Sequence, residues 1–147
     1  MNASRSEARS AIERVARRWI EEIWRPGDFA TFDELHAPEF RDRSAAGRGE
    51  TRDDYRRMLA EFYAAFPDFH TVIEDLAVDE ARATVAIRWT ARGTHRGAYL
   101  GVAPTGRGYD FAGIEIVRVD GGRIVERWGE WDGMSLLAQL GLWAPPR

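Results

Sequence analysis

The sequence predicts an α+β fold in which helices come first and a curved antiparallel sheet follows. Apolar residues recur at helical spacing up to about residue 66 and alternate with a period of two from about residue 69. Asp120-Gly121-Gly122 marks a tight hairpin between the last two strands. Helices that precede such a sheet pack on one of its faces. We therefore expect a single domain over residues 1–147, with a concave sheet face closed by helices.

Three helices are predicted before the sheet. The first runs to about Ile23, and the Arg25-Pro26-Gly27 segment ends it because proline cannot continue a helix. Asp28 caps the second helix, and Thr51 caps the third, which ends before Pro67. A short apolar helix is expected again at the end of the chain, after the last strand.

A short strand at 40–43 is expected between the second and third helices, and four longer strands follow at 69–78, 83–91, 109–119 and 124–132. If Gly121 and Gly122 form the hairpin loop, Asp120 faces Arg123. The same register predicts the pairs Val117–Glu126, Glu115–Trp128, Gly113–Glu130 and Phe111–Asp132. A shift of one residue would change every pair and exchange the two faces of the strand.

Composition excludes several kinds of chemistry. The chain has no lysine, so imine formation on a lysine is excluded, and it has no cysteine, so thiol nucleophiles, disulfides and thiolate metal sites are excluded. A formal net charge of −3 gives no electrostatic case for binding nucleic acid or anionic membranes. No apolar run approaches membrane-spanning length, and the N-terminus lacks the apolar core of a signal peptide. We expect a cytoplasmic protein without a bound metal.

Four stretches together resemble a known family, the SnoaL-like polyketide cyclases (ester cyclases) of the NTF2-like superfamily. They are Phe66-Pro67-Asp68, Gly93-Thr94-His95-Arg96-Gly97, Pro104-Thr105-Gly106-Arg107, and residues 122–128 followed by Asp132 and Gln139-Leu140-Gly141. The resemblance implies a cone-shaped fold, with three N-terminal helices on a curved mixed or antiparallel sheet and a short C-terminal helix. It also implies a cofactor-independent enzyme of the kind used in antibiotic biosynthesis, and a homodimer formed through the outer sheet faces.

Asp132 is the first catalytic candidate, because the family's cyclases use an acidic residue at the end of this strand as general acid and base. Glu126, Trp128 and Glu130 alternate with it, so all four share one face of the strand. A carboxylate beside apolar rings is poorly solvated, which raises its pKa and suits it to proton transfer. The alternative is that Asp132 caps the terminal helix, which would keep the carboxylate ionised.

Three further polar residues are candidates. His95 lies between two glycines and could orient a substrate carbonyl or share a proton, or could be a turn residue bonded to backbone. Glu115 interrupts an apolar strand and faces either the pocket or solvent. Asp42 lies at the expected pocket mouth, where a surface salt bridge to Arg41 or Arg43 is the alternative. His36 and His70 are expected to be structural.

Aromatic residues are numerous for a domain of this size. They are either ordinary core residues or the walls of a cavity for a flat, hydrophobic substrate. The residues concerned are Trp19, Tyr55, Phe62, Trp89, Phe111, Trp128 and Trp131.

The resulting hypothesis is an intramolecular aldol cyclase that acts on a polyketide. Asp132 would remove a proton from a carbon between two carbonyls and return it to the new alkoxide, while His95 or a neighbouring acid holds the enolate oxygen. One alternative is epoxide opening or double-bond isomerisation, and a deep cluster of Asp with Arg and Asn or Tyr would favour epoxide hydrolysis. Another is a non-catalytic module for ligand binding or dimerisation.

Overall fold

The computed structural model describes residues 2–24, 28–144 and 146, and it confirms the α+β fold. The helices are α1 (Asn2–Arg18), α2 (Phe29–Leu35), α3 (Arg52–Ala65) and α4 (Gly133–Gln139). Helix α1 continues without a break into a π-helical turn, Trp19–Ile23, so the N-terminal helical part has one more distinct segment than predicted. The expected helix break at 25–27 lies outside the described residues.

Five strands form one sheet in the order β1-β5-β4-β3-β2. Strand β1 runs parallel to β5 and all other neighbours are antiparallel, so the sheet is mixed. The strands are β1 (His36–Asp42), β2 (His70–Asp79), β3 (Thr84–Thr94), β4 (Gly108–Asp120) and β5 (Arg123–Trp131). Strand β1 begins four residues before the predicted strand, directly after α2, and it delivers Asp42 to the edge of β5.

Both predicted helix caps are confirmed. The Asp28 carboxylate accepts a hydrogen bond from the Thr31 backbone N–H at 3.0 Å, which satisfies an unpaired donor in the first turn of α2. Thr51 and Asp54 form a reciprocal capping box at the start of α3. These caps fix where the two helices begin and therefore how α3 lies over the sheet.

The predicted β4–β5 register is correct at the turn and wrong beyond it. Asp120 pairs with Arg123, but Val117 pairs with Arg127 and Glu115 with Gly129. A bulge causes the slip: Val119 pairs with Ile124 and Arg118 with Glu126, which leaves one extra residue on β5. Such a bulge shifts every later residue of the strand to the opposite face.

The helices cover the inner face of the sheet, where the core is formed. Its largest fully buried side chains include Trp19, Phe32 and Tyr55. The outer face carries apolar side chains that remain exposed, among them Ile114, Ile116 and Trp128. None of the helices in the described part of the chain combines the length and apolar character that a membrane-spanning segment requires.

Candidate active site

A cavity of about 510 Å³ opens between α3, the 98–101 loop and the inner face of the sheet. Its wall is largely aromatic, and it also carries two arginines, Arg48 and Arg127, and one carboxylate, Glu61. The other lining residues are Trp24, Met58, Phe62, Phe69, Trp89, Ala98, Tyr99, Leu100, Gly101, Phe111 and Trp131. A concave apolar site with a few polar groups is the usual form of a small-molecule site.

Arg127 is held between two buried carboxylates. Its Nε and Nη2 donate to Glu115 Oε2 at 3.2 and 3.0 Å, and its Nη1 donates to Asp42 Oδ1 at 3.1 Å. The three side chains are almost fully buried, and the guanidinium also lies 5.0 Å from the centre of the Tyr55 ring. A buried charge is tolerated only when it is paired and hydrogen-bonded, and Arg127 meets both conditions.

Glu115 is fixed on both of its oxygens. Oε2 accepts from Arg127, and Oε1 accepts from the indole Nε1 of Trp19. Trp19 is the first residue of the π-helical turn, and such turns are rare and frequent at functional sites. The turn therefore connects the first helix to the carboxylate behind Arg127.

Asp42 joins this cluster to the loop that follows β1. Its Oδ2 accepts from Arg48 Nη2 at 2.5 Å, and its Oδ1 also accepts from the backbone N–H of Ser44 at 3.1 Å. The Ser44 hydroxyl in turn accepts from the backbone N–H of Gly129 at 3.0 Å. The two carboxylates are balanced by two arginines, and both arginines face the cavity while the acids lie behind them.

Two strand glycines make room for the polar wall. A Cβ on Gly129 would lie 2.2 Å from Arg127 Nη2, and a Cβ on Gly113 would lie 2.3 Å from Cζ2 of the Trp89 ring. Each side chain therefore lies flat across a glycine of the inner sheet face. Glycine inside a strand commonly marks such a close approach.

Burial and neighbouring charges shift the pKa of Arg127, Tyr55 and His36. Burial alone would lower the pKa of Arg127, but the neighbouring Tyr55, Glu115 and Asp42 more than offset it, and the pKa is raised. Burial raises the pKa of Tyr55 well above its ordinary value, so the phenol stays protonated. Burial lowers the pKa of His36 to about 3, and this histidine is neutral at physiological pH.

Asp132 does not lie in the cavity, and the expectation that it is a buried acid is wrong. Its side chain is exposed and caps α4, with Oδ1 accepting from the Ser135 backbone N–H at 2.9 Å. The bulge in β5 is the reason, because it turns Glu126, Trp128, Glu130 and Asp132 away from the concave face. Trp128 pairs with Ile116 on the outer face, is 39% exposed and is not among the residues that line the cavity.

His95 is fully buried but does not line this cavity. Its Nδ1 accepts from the Thr105 backbone N–H at 3.2 Å, and its ring packs against Phe66 and Tyr99. Trp19 and Tyr55 are also core residues outside the wall, and Asp42 is buried in the cluster and bonded to neither Arg41 nor Arg43. The predicted wall residues that do line the cavity are Phe62, Trp89, Phe111 and Trp131.

Sequence reasoning missed Arg127, Arg48 and Glu61. Gly129 is a partial signal for Arg127, because a glycine inside an otherwise good strand indicates that another group approaches the backbone closely, but it does not identify that group. Arg48 and Glu61 carry no such signal, since each looks like an ordinary surface charge. The described residues contain no group of three or more His, Asp or Glu side chains placed to hold a metal ion.

The family model for SnoaL-like polyketide cyclase matches residues 14–140. The chain therefore belongs to the SnoaL-like polyketide cyclase family. No curated protein matches the chain. The sequence resemblance and the cone-shaped fold are thus confirmed at the level of the family.

Solved structures show the same fold. IdmH from Streptomyces antibioticus, a candidate polyketide cyclase, is 32% identical, has a TM-score of 0.77 and aligns over 88% of this chain and 98% of its own. A candidate polyketide cyclase from Bacillus cereus is 27% identical, with a TM-score of 0.76 over 91% and 83% of the two chains. TsrD from Streptomyces laurentii is 22% identical, has a TM-score of 0.80 and aligns over 92% of this chain and 98% of its own. It shows the fold alone. The family and the two candidate cyclases support a cyclase-type role.

Proposed function

We propose that this protein is a cofactor-independent polyketide cyclase that closes a ring by intramolecular aldol addition, with Arg127 as the group that holds the developing oxyanion. One observation carries the proposal: a cation clamped from behind by Glu115 and Asp42 lies on the wall of an aromatic cavity. Arginine has five N–H donors, and the cluster uses three of them. Two donors are left for a substrate oxygen.

The chemistry requires a proton to move and a carbon–carbon bond to form. A carbon between two carbonyls loses its proton, the enolate carbon attacks a second carbonyl of the same chain, and the resulting alkoxide takes up a proton. A donor fixed before the reaction stabilises the enolate and the alkoxide without reorganisation during the step. The aromatic walls fold the chain so that its two reacting carbons meet.

We assign Glu61 as the general base that removes the proton from the carbon between the two carbonyls and returns it to the alkoxide. It is the one carboxylate among the described residues that line the cavity. Glu115 is less suited, because it is 1% exposed and both of its oxygens already accept hydrogen bonds, from Trp19 and from Arg127. We assign Glu115 and Asp42 to positioning Arg127, Asp132 to capping α4, and His95 to holding the loop that contains Thr105.

Linear poly-β-ketone methyl esters test this proposal, with ring-closed product followed by mass spectrometry and absorbance. Arg127→Lys and Glu61→Gln are each expected to lower turnover about 100-fold, in the usual range for a lost transition-state donor or general base. Asp53→Asn, an exposed acid on the same helix as Glu61, is the matched control and keeps wild-type turnover. Wild-type turnover in both site variants, or no ring closure of any ester, contradicts the proposal.

Epoxide hydrolysis is the second candidate, and one observation favours it. The cluster is a carboxylate–arginine–carboxylate group with a phenol beside it, and the Tyr55 hydroxyl is buried without a hydrogen-bond partner among the described residues. A water between Tyr55 and the acids could be activated for attack on an epoxide. An aryl epoxide in water enriched in heavy oxygen tests this candidate, since a hydrolase converts it to a diol that contains one labelled oxygen, whereas an aldol cyclase leaves the epoxide unconverted.

A homodimer is proposed from the outer sheet face. Ile114, Ile116 and Trp128 are 56%, 41% and 39% exposed there, and Ile116 and Trp128 are cross-strand partners. Exposed apolar side chains that adjoin on one face commonly mark an interaction surface. A second copy of the chain, presenting the same face, is the partner that the family resemblance implies.

A further inference from the structure

The 98–101 loop presents one apolar side chain to the cavity in an unfavourable conformation. Leu100 lines the cavity and is 70% exposed. Its φ is +49°, in the left-handed region that residues other than glycine, asparagine and aspartate rarely adopt. Both the backbone and the exposed apolar side chain therefore cost free energy in the protein without a ligand.

The conformation of Leu100 is imposed by a tight turn. Tyr99 and Val102 exchange backbone hydrogen bonds of 3.0 and 2.9 Å, which leaves Leu100 and Gly101 as the two central residues. Both have positive φ, 49° and 76°, as in a type I′ hairpin turn. Glycine suits its position, whereas leucine is strained in the other. Strained residues of this kind cluster at active sites and ligand clamps.

The base of the loop is fixed to the end of α3, so Leu100 is held in place at the cavity. The backbone N–H groups of Arg96 and Gly97 donate to the Ala65 carbonyl at 2.9 and 3.0 Å, which satisfies an acceptor that the end of a helix leaves free. A Cβ on Gly97 would overlap a backbone carbonyl of the same helix. The Tyr99 ring packs on Phe66 with a centroid distance of 4.9 Å.

Helix α3 also measures how far the loop lies from the arginine. The Arg127 guanidinium lies 5.0 Å from the centre of the Tyr55 ring near the start of α3, and the Tyr99 ring lies 6.1 Å from that of Phe62 near its end. Tyr55 and Phe62 are seven residues apart, which is roughly 10 Å along a helix. The cavity therefore has a cationic end at Arg127 and an apolar end at Leu100.

We propose that Leu100 is a specificity-determining residue that contacts the apolar, non-reacting end of the substrate. The inference rests on the proposed function in placing the reacting carbonyls at Arg127. An apolar ligand group would remove the Leu100 side chain from water, and that burial offsets the strain that the free protein carries. The substrate class is a molecule with a polar reacting part and an apolar chain that reaches across the cavity.

Two β-diketones that cannot close a ring test this inference by isothermal titration calorimetry. They are benzoylacetone and 1-phenyldecane-1,3-dione, whose heptyl chain can span the roughly 10 Å between the two ends. Wild-type protein is expected to bind the longer diketone at least ten-fold more tightly. Leu100→Asn is expected to weaken binding of the longer diketone about ten-fold, equivalent to roughly two buried methylene groups, and to keep benzoylacetone within about two-fold.

Ala46→Asn is the matched control. Ala46 is exposed and has a φ of +50°, and it is not among the described residues that line the cavity. Asparagine tolerates the left-handed region, so neither variant is expected to melt below wild type. Ala46→Asn is expected to bind both diketones as wild type does. An equal loss in the two variants, or an unchanged length preference in Leu100→Asn, overturns the inference.

Nuclear magnetic resonance of the wild-type protein keeps the test independent of any variant. The methyl signals of Leu100 are expected to shift with the longer diketone and to stay in place with benzoylacetone. Unshifted signals, or a longer diketone that does not bind, overturn the inference.

The outcome for Leu100 is separable from the outcome for the proposed function. A length preference that depends on Leu100, together with wild-type ring closure in Arg127→Lys, supports the inference and contradicts the assignment of Arg127. Lost ring closure in Arg127→Lys without any length effect in Leu100→Asn overturns the inference alone.

Discussion

Arg127 organises the interior of this protein at the scale of a single residue. Two buried carboxylates, from β1 and β4, meet on one guanidinium from β5. Neither acid is stable in that position alone, since an unpaired buried charge costs several kcal/mol. The residue that the proposed chemistry uses is therefore also one that the fold needs.

Removal of this arginine should be costly. Arg127→Met is expected to lower the free energy of unfolding by about 3–5 kcal/mol, because it leaves Glu115 buried without a cation and removes one of the two arginines that bind Asp42. Arg123→Met, at an exposed position of the same strand, is expected to change it by less than about 0.5 kcal/mol. Urea unfolding measures the free energy of unfolding of both variants. Equal free energies would show that the ion pairs of Arg127 with Glu115 and Asp42 do not contribute to stability.

Substitutions of Asp132 test whether this residue caps α4 or acts as a catalytic acid. Asp132→Ala is expected to lose about 1 kcal/mol of stability, because the Ser135 N–H loses its acceptor, while Asp132→Asn keeps the cap. Ring closure by the Asn variant should equal that of wild type. A large loss of turnover with unchanged stability in Asp132→Asn would return this residue to the mechanism.

His36 gives the protein a dependence of stability on pH. Its folded pKa is about 3 and its ordinary value is 6.5, so between these values the unfolded chain binds the extra proton. Stability is therefore complete above about pH 6.5 and is lost as the pH falls towards 3. Between pH 7 and pH 5 the free energy of unfolding should fall by about 2 kcal/mol. The decrease should persist in His70→Asn and vanish in His36→Phe, and a decrease in both would assign it to another group.

Residue types alone could indicate only part of the site. The aromatic wall residues Phe62, Trp89 and Phe111 were predictable because bulky rings in amphipathic elements face inward. The position of Arg127 on the cavity wall was not predictable, because an arginine in a strand is usually exposed to solvent. It is buried here because it binds two buried carboxylates. Those partners come from distant parts of the chain, which no local pattern connects.

At the scale of elements, a single bulge on β5 decides which face meets the cavity. The period of two and the Asp120-Gly121-Gly122 turn predicted the hairpin correctly. They could not predict the extra residue that the bulge adds to β5. Ile124 and Val125 are both apolar, so either could be the first of the alternate residues that face the core. The bulge buries both of them and brings Arg127 to the inner face.

The glycine of β4 that faces Trp89 offers a test at this scale. Gly113→Ala is expected to destabilise the protein by about 1–3 kcal/mol, since its methyl group would overlap the rigid indole ring. Gly108→Ala on the same strand is the control, because a Cβ there meets nothing closer than 3.8 Å. Thermal unfolding compares the two, and equal melting temperatures would mean that the indole does not lie across Gly113.

At the scale of the whole molecule, the two faces of one sheet have different roles. The inner face holds the cavity and the clamped arginine, and the outer face presents the apolar patch of Ile114, Ile116 and Trp128. The overall architecture was predictable because the order of helices and strands restricts how they can pack. Which sheet face holds the cavity and which carries the apolar patch was not predictable, since this depends on the register of β5.

The outer face leads to a prediction about assembly. Ile116→Glu is expected to convert a dimer to a monomer, because it places a charge at the centre of the apolar patch, whereas the exposed Glu39→Gln leaves the dimer intact. Light scattering coupled to gel filtration measures both masses. A wild-type monomer at high protein concentration would contradict the assignment of this face to a second copy.

The claim that Arg127 binds the reacting oxygen is tested most directly by a crystal structure with benzoylacetone bound, a β-diketone whose chain is too short to close a ring. An oxygen of the ligand is expected within hydrogen-bond distance of the Arg127 guanidinium, with Glu115 and Asp42 still bonded behind it. A ligand whose oxygens all point away from Arg127, or one bound beside Asp132 on the exposed face, would contradict it.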